Sequence, residues 1–409
     1  MICRHCGSRL EQTFLDLGFA PPSNSYLSTE DLNAPELFFP LRLKFCEECW
    51  LVQTEDYPER ERLFCKDYAY FSSTSKDWLD HAARYVERVV DQLNLGAGSH
   101  VIEVASNDGY LLKNFVKKGI ACLGIEPTEM TANAAEAQGI PVIRKFFGRD
   151  LAEELASDGL VADLVIGNNV LAHVPEINDF SVGIKKVLKK GGTFTFEFPH
   201  LLKLVEECQF DTVYHEHFSY LSLFVVDRIL SATGLRIFDV EMLPTHGGSL
   251  RIWGGHSDDE RPNLPSVDAL LETERHAGLL DGRAYSGFQP RVNRIKDELV
   301  AFLIEQKRAR KKVAAYGAAA KGNTLLNYAG IRQDLLPFVC DAAPSKQGKF
   351  LPGSHIPIFS PDMLVSYNPD YLLLLPWNLE EELRRVNGHL LDRGTRIVTA
   401  IPSLRVDPL

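Results

Sequence analysis

The chain has 409 residues, of which 45% are hydrophobic and 24% charged, and its formal net charge is −11. That length allows two or three domains with cores of their own, and the acidic balance argues against a nucleic-acid partner, which needs clustered lysine and arginine. No apolar run reaches the roughly 20 residues of a membrane span, so we expect a cytoplasmic protein without a membrane partner.

The N-terminal segment contains two Cys-x-x-Cys knuckles. Cys3 and Cys6 form the first, and Cys46 and Cys49 form the second after 39 intervening residues. In a reducing compartment such pairs are typical of a tetrahedral zinc site rather than of disulfides or incidental core cysteines. We predict a structural zinc ion, because four thiolates leave no open position for chemistry. The other cysteines are expected to be small buried residues: Cys65, Cys122, Cys208 and Cys340.

The middle of the chain alternates helical and strand patterns. A helix is predicted over residues 77–93, and strands over residues 100–105, 121–125, 161–167 and 192–198. This alternation is typical of a doubly wound α/β sheet with parallel strands. In such sheets ligands bind beyond the carboxyl ends of the strands, so the residues that follow each strand are the candidates for a site.

Acidic residues occupy those positions. Glu103 and Asp108 bracket the turn after the first strand, where they could meet an amino group of a methionine-like ligand, and Glu126 could accept the ribose hydroxyls of an adenosine. The turn lacks a full Gly-x-Gly-x-x-Gly pattern, which argues against NAD. The alternative is an α/β domain that binds another adenosine ligand. Further cofactor-binding candidates are Ala105, Asn107, Gly109, Pro127, Asn168 and Asn169.

The densest polar cluster is residues 214–217, where Tyr214 and Glu216 alternate with His215 and His217. A neutral imidazole can remove a proton next to a ketone, a phenol can donate to the resulting enolate, and a carboxylate can orient the imidazole. There are two alternatives for this segment. It could hold a metal ion through both histidines, or it could be a solvated loop.

Three more histidines follow strands or turns at the ligand end of the sheet. His173 comes after the third strand, His200 after the fourth, and His246 lies in a glycine turn; all three are candidates to line a pocket. Alternatively, His173 could be a histidine bonded to backbone at a helix start, and His246 could belong to a plain hairpin turn.

The last hundred residues predict a second, smaller nucleotide-binding sheet. A strand at residues 313–317 leads through a small-residue turn to a helix start, where backbone N–H groups and Lys321 could hold phosphate. Further strands are predicted at residues 336–339, 371–375 and 396–400. The alternative is a helix cap with a surface lysine.

Together these features resemble the nucleotide-sugar C-methyltransferases of deoxysugar biosynthesis over the whole chain. The resemblance rests on both cysteine pairs and on residues 103–109, 124–128, 168–175, 197–200, 214–217, 246–251 and 317–325. It implies a zinc-binding domain (residues 1–70), a Rossmann-like S-adenosylmethionine (SAM) methyltransferase domain (71–290) and a smaller Rossmann-like sugar-nucleotide domain (291–409).

The resemblance also implies a reaction. A methyl group would pass from SAM to a ring carbon, C-3 more often than C-5, of a dTDP- or GDP-linked 4-keto-6-deoxy sugar. His217 would be the base, with Tyr214 and Glu216 in support and His173 beside the sugar. We expect the protein to be a monomer. Two other functions are the alternatives: O- or N-methylation of a small molecule, or a zinc-containing scaffold that only binds nucleotides. The substrate-binding candidates are His200, His246, Lys321, Asn323 and Thr324, the last three for the phosphates.

Overall fold

The computed structural model describes residues 1–55, 57 and 71–408, which form three β-sheets with their surrounding helices. Cys65 lies outside the described residues, whereas Cys122, Cys208 and Cys340 are buried as expected. Within the described part of the chain, no helix is both long and apolar enough to cross a membrane.

The N-terminal sheet is antiparallel and has the strand order β1-β2-β3-β9. The first three strands come from the cysteine-rich segment, but β9 is a short strand contributed from the middle of the chain, directly after residues 214–217. The sheet therefore joins the segment that carries the knuckles to the candidate catalytic segment. Its strands are β1 (Thr13–Ala20), β2 (Phe39–Phe45), β3 (Val52–Thr54) and β9 (Ser219–Tyr220).

The central sheet has the order β10-β11-β8-β7-β4-β5-β6. Strands β4 to β8 are parallel to one another, as predicted, and β10 and β11 extend the sheet beyond β8 as an antiparallel hairpin. Its strands are β4 (His100–Val104), β5 (Ala121–Ile125), β6 (Val142–Ile143), β7 (Ala162–Asn168), β8 (Leu188–Pro199), β10 (Leu235–Leu243) and β11 (Ser249–His256).

Helices cover both faces of this sheet, which explains why its strands are apolar on both sides. The helices of this region are α1 (Lys76–Leu93), α2 (Leu112–Lys117), α3 (Glu129–Glu136), α4 (Arg149–Ser157), α5 (Ile177–Val187), α6 (Leu201–Glu206), α7 (Leu223–Ala232) and α8 (Pro265–His276). Ile102 and Val165 pack on one face with α4, α5, α7 and α8, while Val101 and Leu164 pack on the other with α1, α2 and α3.

The C-terminal sheet has the order β14-β13-β12-β15-β16-β17 and is parallel except for β17. Its strands are β12 (Val313–Tyr316), β13 (Val339–Cys340), β14 (Ile358–Phe359), β15 (Tyr371–Leu374), β16 (Arg396–Thr399) and β17 (Arg405–Val406). The accompanying helices are α9 (Phe288–Arg308), α10 (Ala320–Tyr328), α11 (Asp362–Tyr367), α12 (Glu380–Val386) and α13 (Gly388–Leu391).

One hydrophobic core links the N-terminal and C-terminal sheets. Leu15 and Leu43 of the first, Phe210 and Val213 of the middle segment, and Val339 of the last belong to the same buried cluster. The expected domain ranges 1–70, 71–290 and 291–409 stay a prediction, since residues 201–220 pack mainly between the two outer units.

Candidate active site

A cavity of about 650 Å³ opens at the carboxyl ends of β4, β5 and β7, and the C-terminal unit closes its far side. Cofactor candidates, the residues around His217 and two lysines of the C-terminal unit share its wall. The predicted site residues on that wall are Ala105, Asn107, Glu126, Pro127, Asn168, Asn169, His173, Tyr214, Glu216, His217, His246 and Lys321.

The turn after β4 keeps the shape that glycine would favour. Ala105 has φ +57° and Asn107 has φ +50°, both in the left-handed region that costs an L-residue about 1 kcal/mol. Gly109 has φ +77°, and a Cβ there would lie 2.4 Å from Ile140 Cδ1, so this position needs glycine. Ala105 therefore adopts a backbone angle that glycine would favour, without being glycine.

Three carboxylates gather around this turn. Burial raises the pKa of Glu103 well above its ordinary value, and the charges of Asp108 and Glu126 raise it further. Burial also raises the pKa of Glu126, whose oxygens accept hydrogen bonds from the backbone N–H groups of Asn107 (3.0 Å) and Thr128 (2.9 Å). A ligand with ammonium and sulfonium charges would relieve this repulsion, so the donor set fits SAM. Glu103, Asp108 and Gly109 shape the turn but do not line the cavity.

The tautomer of His217 is fixed by a backbone carbonyl five residues earlier in the chain. Its Nδ1 lies 3.1 Å from the carbonyl oxygen of Thr212 at the end of a short 3-10 helix, Phe210–Thr212. A carbonyl can only accept, so Nδ1 carries the proton and Nε2 is left with a lone pair. The hydrogen-bond partner at Nδ1 is thus a backbone carbonyl, and the supporting role expected of Glu216 stays a prediction.

The imidazole is also held neutral. Burial lowers the pKa of His217 well below its ordinary value, and electrostatic repulsion from His173, His246 and Lys321 in their protonated forms lowers it further, while the Thr212 carbonyl opposes this. Burial likewise lowers the pKa of His173 to about 4. The ring centroids of His217 lie 4.1 Å from Tyr214 and 4.6 Å from His173. A phenol and two imidazoles with lowered pKa values therefore share one part of the cavity wall.

His215 is turned away from this group. Its Nε2 lies 3.2 Å from the carbonyl oxygen of Pro40, its ring meets Phe39 edge-on, and it does not line the cavity. The two histidines thus bond to different backbone carbonyls. Among the described residues, the four cysteines are the one group of three or more side chains that could hold a metal ion, so the alternative metal site at residues 215–217 is not supported.

His246 reaches the cavity from a strained turn. Its φ is +55°, and its Nε2 lies 3.0 Å from the Nδ2 of Asn169. The ring packs against Trp78, with centroids 5.0 Å apart. Thr245, the residue before it, donates to Glu197 at 2.7 Å, and that carboxylate is in turn bonded to Arg251. The strained backbone is thereby tied to a buried charge network.

Two lysines of the C-terminal unit line the opposite wall. Burial lowers the pKa of Lys321, although Asp211 opposes this, and its Nζ lies 2.6 Å from the Oδ1 of Asn378. Lys346, which sequence analysis missed, donates to the carbonyl of Ala318 at 2.9 Å and lies 3.6 Å from Asp341. Burial alone would lower the pKa of Lys346, but Tyr26 and Asp341 outweigh it and hold that pKa above its ordinary value. Two cations in one cavity wall suit a polyanionic ligand.

Three predicted substrate residues do not reach the cavity. His200 is buried with its Nε2 2.8 Å from Glu274, a carboxylate that also accepts from the start of α7. Asn323 donates to the carbonyl of Ser23 at 2.6 Å, and Thr324 donates to that of Val213 at 2.8 Å. The polar atoms named here join segments of the fold. The assignment of these three residues to the substrate therefore stays a prediction that their contacts in this structure do not support.

The four knuckle cysteines come together as predicted. The Sγ atoms of Cys3 and Cys49 lie 3.5 Å apart, as do those of Cys6 and Cys46, and all four lie within 4.8 Å of one another. A tetrahedral zinc with bonds of about 2.3 Å places its sulfurs about 3.8 Å apart, so the cluster fits the ion.

The first knuckle is docked against the segment that follows His173. Arg4 donates to the carbonyl of Pro175 at 3.1 Å, and His5 exchanges hydrogen bonds with the side chain of Asn178, both at 2.8 Å. On the other side, Thr54 of β3 donates to the carbonyl of His217 at 3.2 Å. The zinc segment therefore supports the backbone on both sides of the imidazole pair.

Comparisons with known proteins agree with this architecture. Three family models match the chain: a zinc binding domain over residues 3–64, a methyltransferase domain over residues 78–240, and a C-methyltransferase C-terminal domain over residues 244–402. The C-methyltransferase NovU of Streptomyces niveus is 34% identical over 404 residues, which is 99% of this chain and 96% of that protein.

Other similarities are confined to part of the chain. A ubiquinone biosynthesis O-methyltransferase of Rhizobium etli is 27% identical over 99 residues, 23% of this chain and 39% of that protein. The structure of magnesium protoporphyrin IX methyltransferase from Synechocystis, with bound SAH, covers 43% of this chain and 82% of that one, with 17% identity and a TM-score of 0.34.

Proposed function

Because the chain belongs to the zinc-containing, SAM-dependent C-methyltransferases, we propose that it methylates a ring carbon of a nucleotide-linked 4-keto-6-deoxy sugar and that His217 is the base. The observation that carries the proposal is the contact between Nδ1 of His217 and the Thr212 carbonyl, which leaves Nε2 as a proton acceptor in the wall of a cavity shared with the cofactor residues.

The chemistry follows from these positions. SAM supplies an electrophilic methyl group when bound beside Glu126 and the β4 turn. Nε2 of His217 takes the proton from the carbon next to the ketone. The electron pair of that C–H bond becomes the C=C bond of the enolate, and the π pair of the C=O bond moves to the ketone oxygen. Tyr214 is the neighbouring donor for that oxygen, and the enolate carbon then forms a bond to the methyl group as its bond to sulfur breaks.

The charge of the cavity supports the substrate class. Lys321 and Lys346 line the wall on the C-terminal side, where a diphosphate between nucleoside and sugar would be neutralised by both. Titration calorimetry with dTDP, GDP and UDP tests this directly. We expect each diphosphate that binds to do so more tightly than its monophosphate, and the base with the highest affinity to identify the nucleotide.

The decisive experiment is proton exchange. In deuterated solvent without SAM, the enzyme should exchange the proton next to the ketone, and His217→Asn should lower that rate by about 10²- to 10⁴-fold, the usual contribution of a positioned base. His215→Asn is the matched control, since it makes the same change two residues away at a side chain outside the cavity.

Each outcome separates the hypotheses. Full exchange by His217→Asn, with SAM binding intact, would remove His217 as the base. Methyl transfer without any exchange would favour O- or N-methylation, which needs no enolate. The position of a ¹³C-methyl group in the product, read by NMR, distinguishes C-3 from C-5, of which the family resemblance favours C-3.

A further inference from the structure

The connection between β1 and β2, residues 21–38, leaves the N-terminal sheet and lies against the C-terminal unit. Leu27 and Phe350 exchange two backbone hydrogen bonds of 3.0 and 2.8 Å. The hydroxyl of Tyr26 donates to the carbonyl of Ala318 at 2.6 Å, in the turn that precedes α10. This connection is therefore fixed on the side of the cavity that faces the C-terminal unit.

Asn24 lies just before Tyr26 and Leu27 and directly after a third contact. The carbonyl of Ser23 accepts a hydrogen bond of 2.6 Å from the side chain of Asn323 in α10. Held in this way, Asn24 lines the cavity, and its Nδ2 lies 2.7 Å from Oε1 of Glu216. The two residues are 192 positions apart in the chain, so their contact depends on how three structural units meet.

The chemistry of this contact accounts for the residue type. Glu216 is 2% exposed, and a buried carboxylate is stable in its charged form only when donors face it. An amide donates a hydrogen bond without adding a charge, and Nδ2 of Asn24 is such a donor to Glu216. An aspartate of the same shape would face one carboxylate with another.

We propose that Asn24 is a positioning residue, which holds the Glu216 carboxylate in place next to the base. The zinc-binding segment thus supplies the catalytic segment with a side-chain contact as well as backbone support. That Glu216 supports the base is what the family resemblance implies, and it rests on the function proposed above; the contact between Asn24 and Glu216 does not.

The first test compares Asn24→Asp with Asn24→Ala, with Ser25→Ala, an exposed neighbour on the same connection, as the control. Loss of one hydrogen bond to a charged group predicts that both Asn24 variants lower kcat about 10- to 100-fold on the nucleotide sugar that the wild-type enzyme methylates. KM and SAM affinity should stay within about twofold. Asn24→Asp should be at least as impaired as Asn24→Ala, although it preserves the shape; near wild-type kcat in Asn24→Asp would overturn the proposal.

The second test needs no substrate. Asn24→Asp should lower the thermal unfolding midpoint, and adding Glu216→Gln should restore most of it, because donor and acceptor are then exchanged across the same contact. Additive losses in the double variant would show that the two side chains do not interact and would overturn the proposal. Failure of the wild-type enzyme to methylate any nucleotide sugar would instead refute the proposed function and leave this result standing.

Discussion

Asp211→Asn should stabilise the protein, and its effect should grow with pH. Asp211 is fully buried in the short 3-10 helix Phe210–Thr212, where it accepts a hydrogen bond of 2.7 Å from the indole of Trp377. Burial raises its pKa from the ordinary 3.8 to about 6, although the charge of Lys321 lowers it in part. Asparagine has the same shape and can accept the same hydrogen bond without the cost of a buried charge.

The size of the effect follows from proton linkage. Between these two pKa values the folded state binds more protons than the unfolded state, so stability falls as the pH rises through this range and levels off above it. With the two values given, the cost of the buried charge is about 1.5 kcal/mol at pH 5 and about 3 kcal/mol at pH 8. The advantage of Asp211→Asn over the wild type should therefore increase by about 1.5 kcal/mol between these pH values.

Urea unfolding followed by tryptophan fluorescence at pH 5, 6, 7 and 8 measures this difference directly. Asp158→Asn, the same substitution at an exposed position, is the control and should show no comparable trend. A difference between Asp211→Asn and the wild type that stays constant from pH 5 to 8, or that shrinks, would refute the argument that Asp211 is buried at a cost.

Two further predictions concern the supports of the site. Cys46→Ser should abolish zinc binding, read by metal analysis, and methyl transfer with it, while SAM affinity by calorimetry stays within a few fold; full activity without zinc would contradict the structural role. Glu274→Ala leaves three donors without their acceptor, of which His200 and the backbone N–H of Leu223 are buried, and should cost about 3 kcal/mol or more in urea unfolding. It should leave SAM affinity unchanged, and a large loss of affinity would mean that His200 belongs to the site after all.

The sequence was most informative where a pattern is local. The parallel strands, the acidic residues at their carboxyl ends and the cysteine knuckles all follow from spacings within a few residues, and the structure has them where they were expected. Ala105 shows the limit of a motif: the glycine is missing, but the backbone angle that glycine would adopt is retained.

Side-chain direction was the part that sequence could not supply. His200 follows the end of β8 and Asn168 is the last residue of β7, yet one bonds to Glu274 while the other lines the cavity. Thr212 acts through its carbonyl, and Asn24 and Lys346 come from connections that only the folded chain brings to the site. No periodicity marks such residues, because their partners are distant in the chain.

The pairing of β9 with β3 has a consequence for anyone who recombines members of this family. A chimera that exchanges residues 1–70 at the apparent boundary would break an interface that runs through the backbone of the base, since Thr54 bonds to His217 and β9 follows it directly. The unit to exchange is therefore discontinuous. Residues 1–70 must be exchanged together with residues 212–220, so that Asn24 and Glu216 come from the same parent and the hybrid retains turnover.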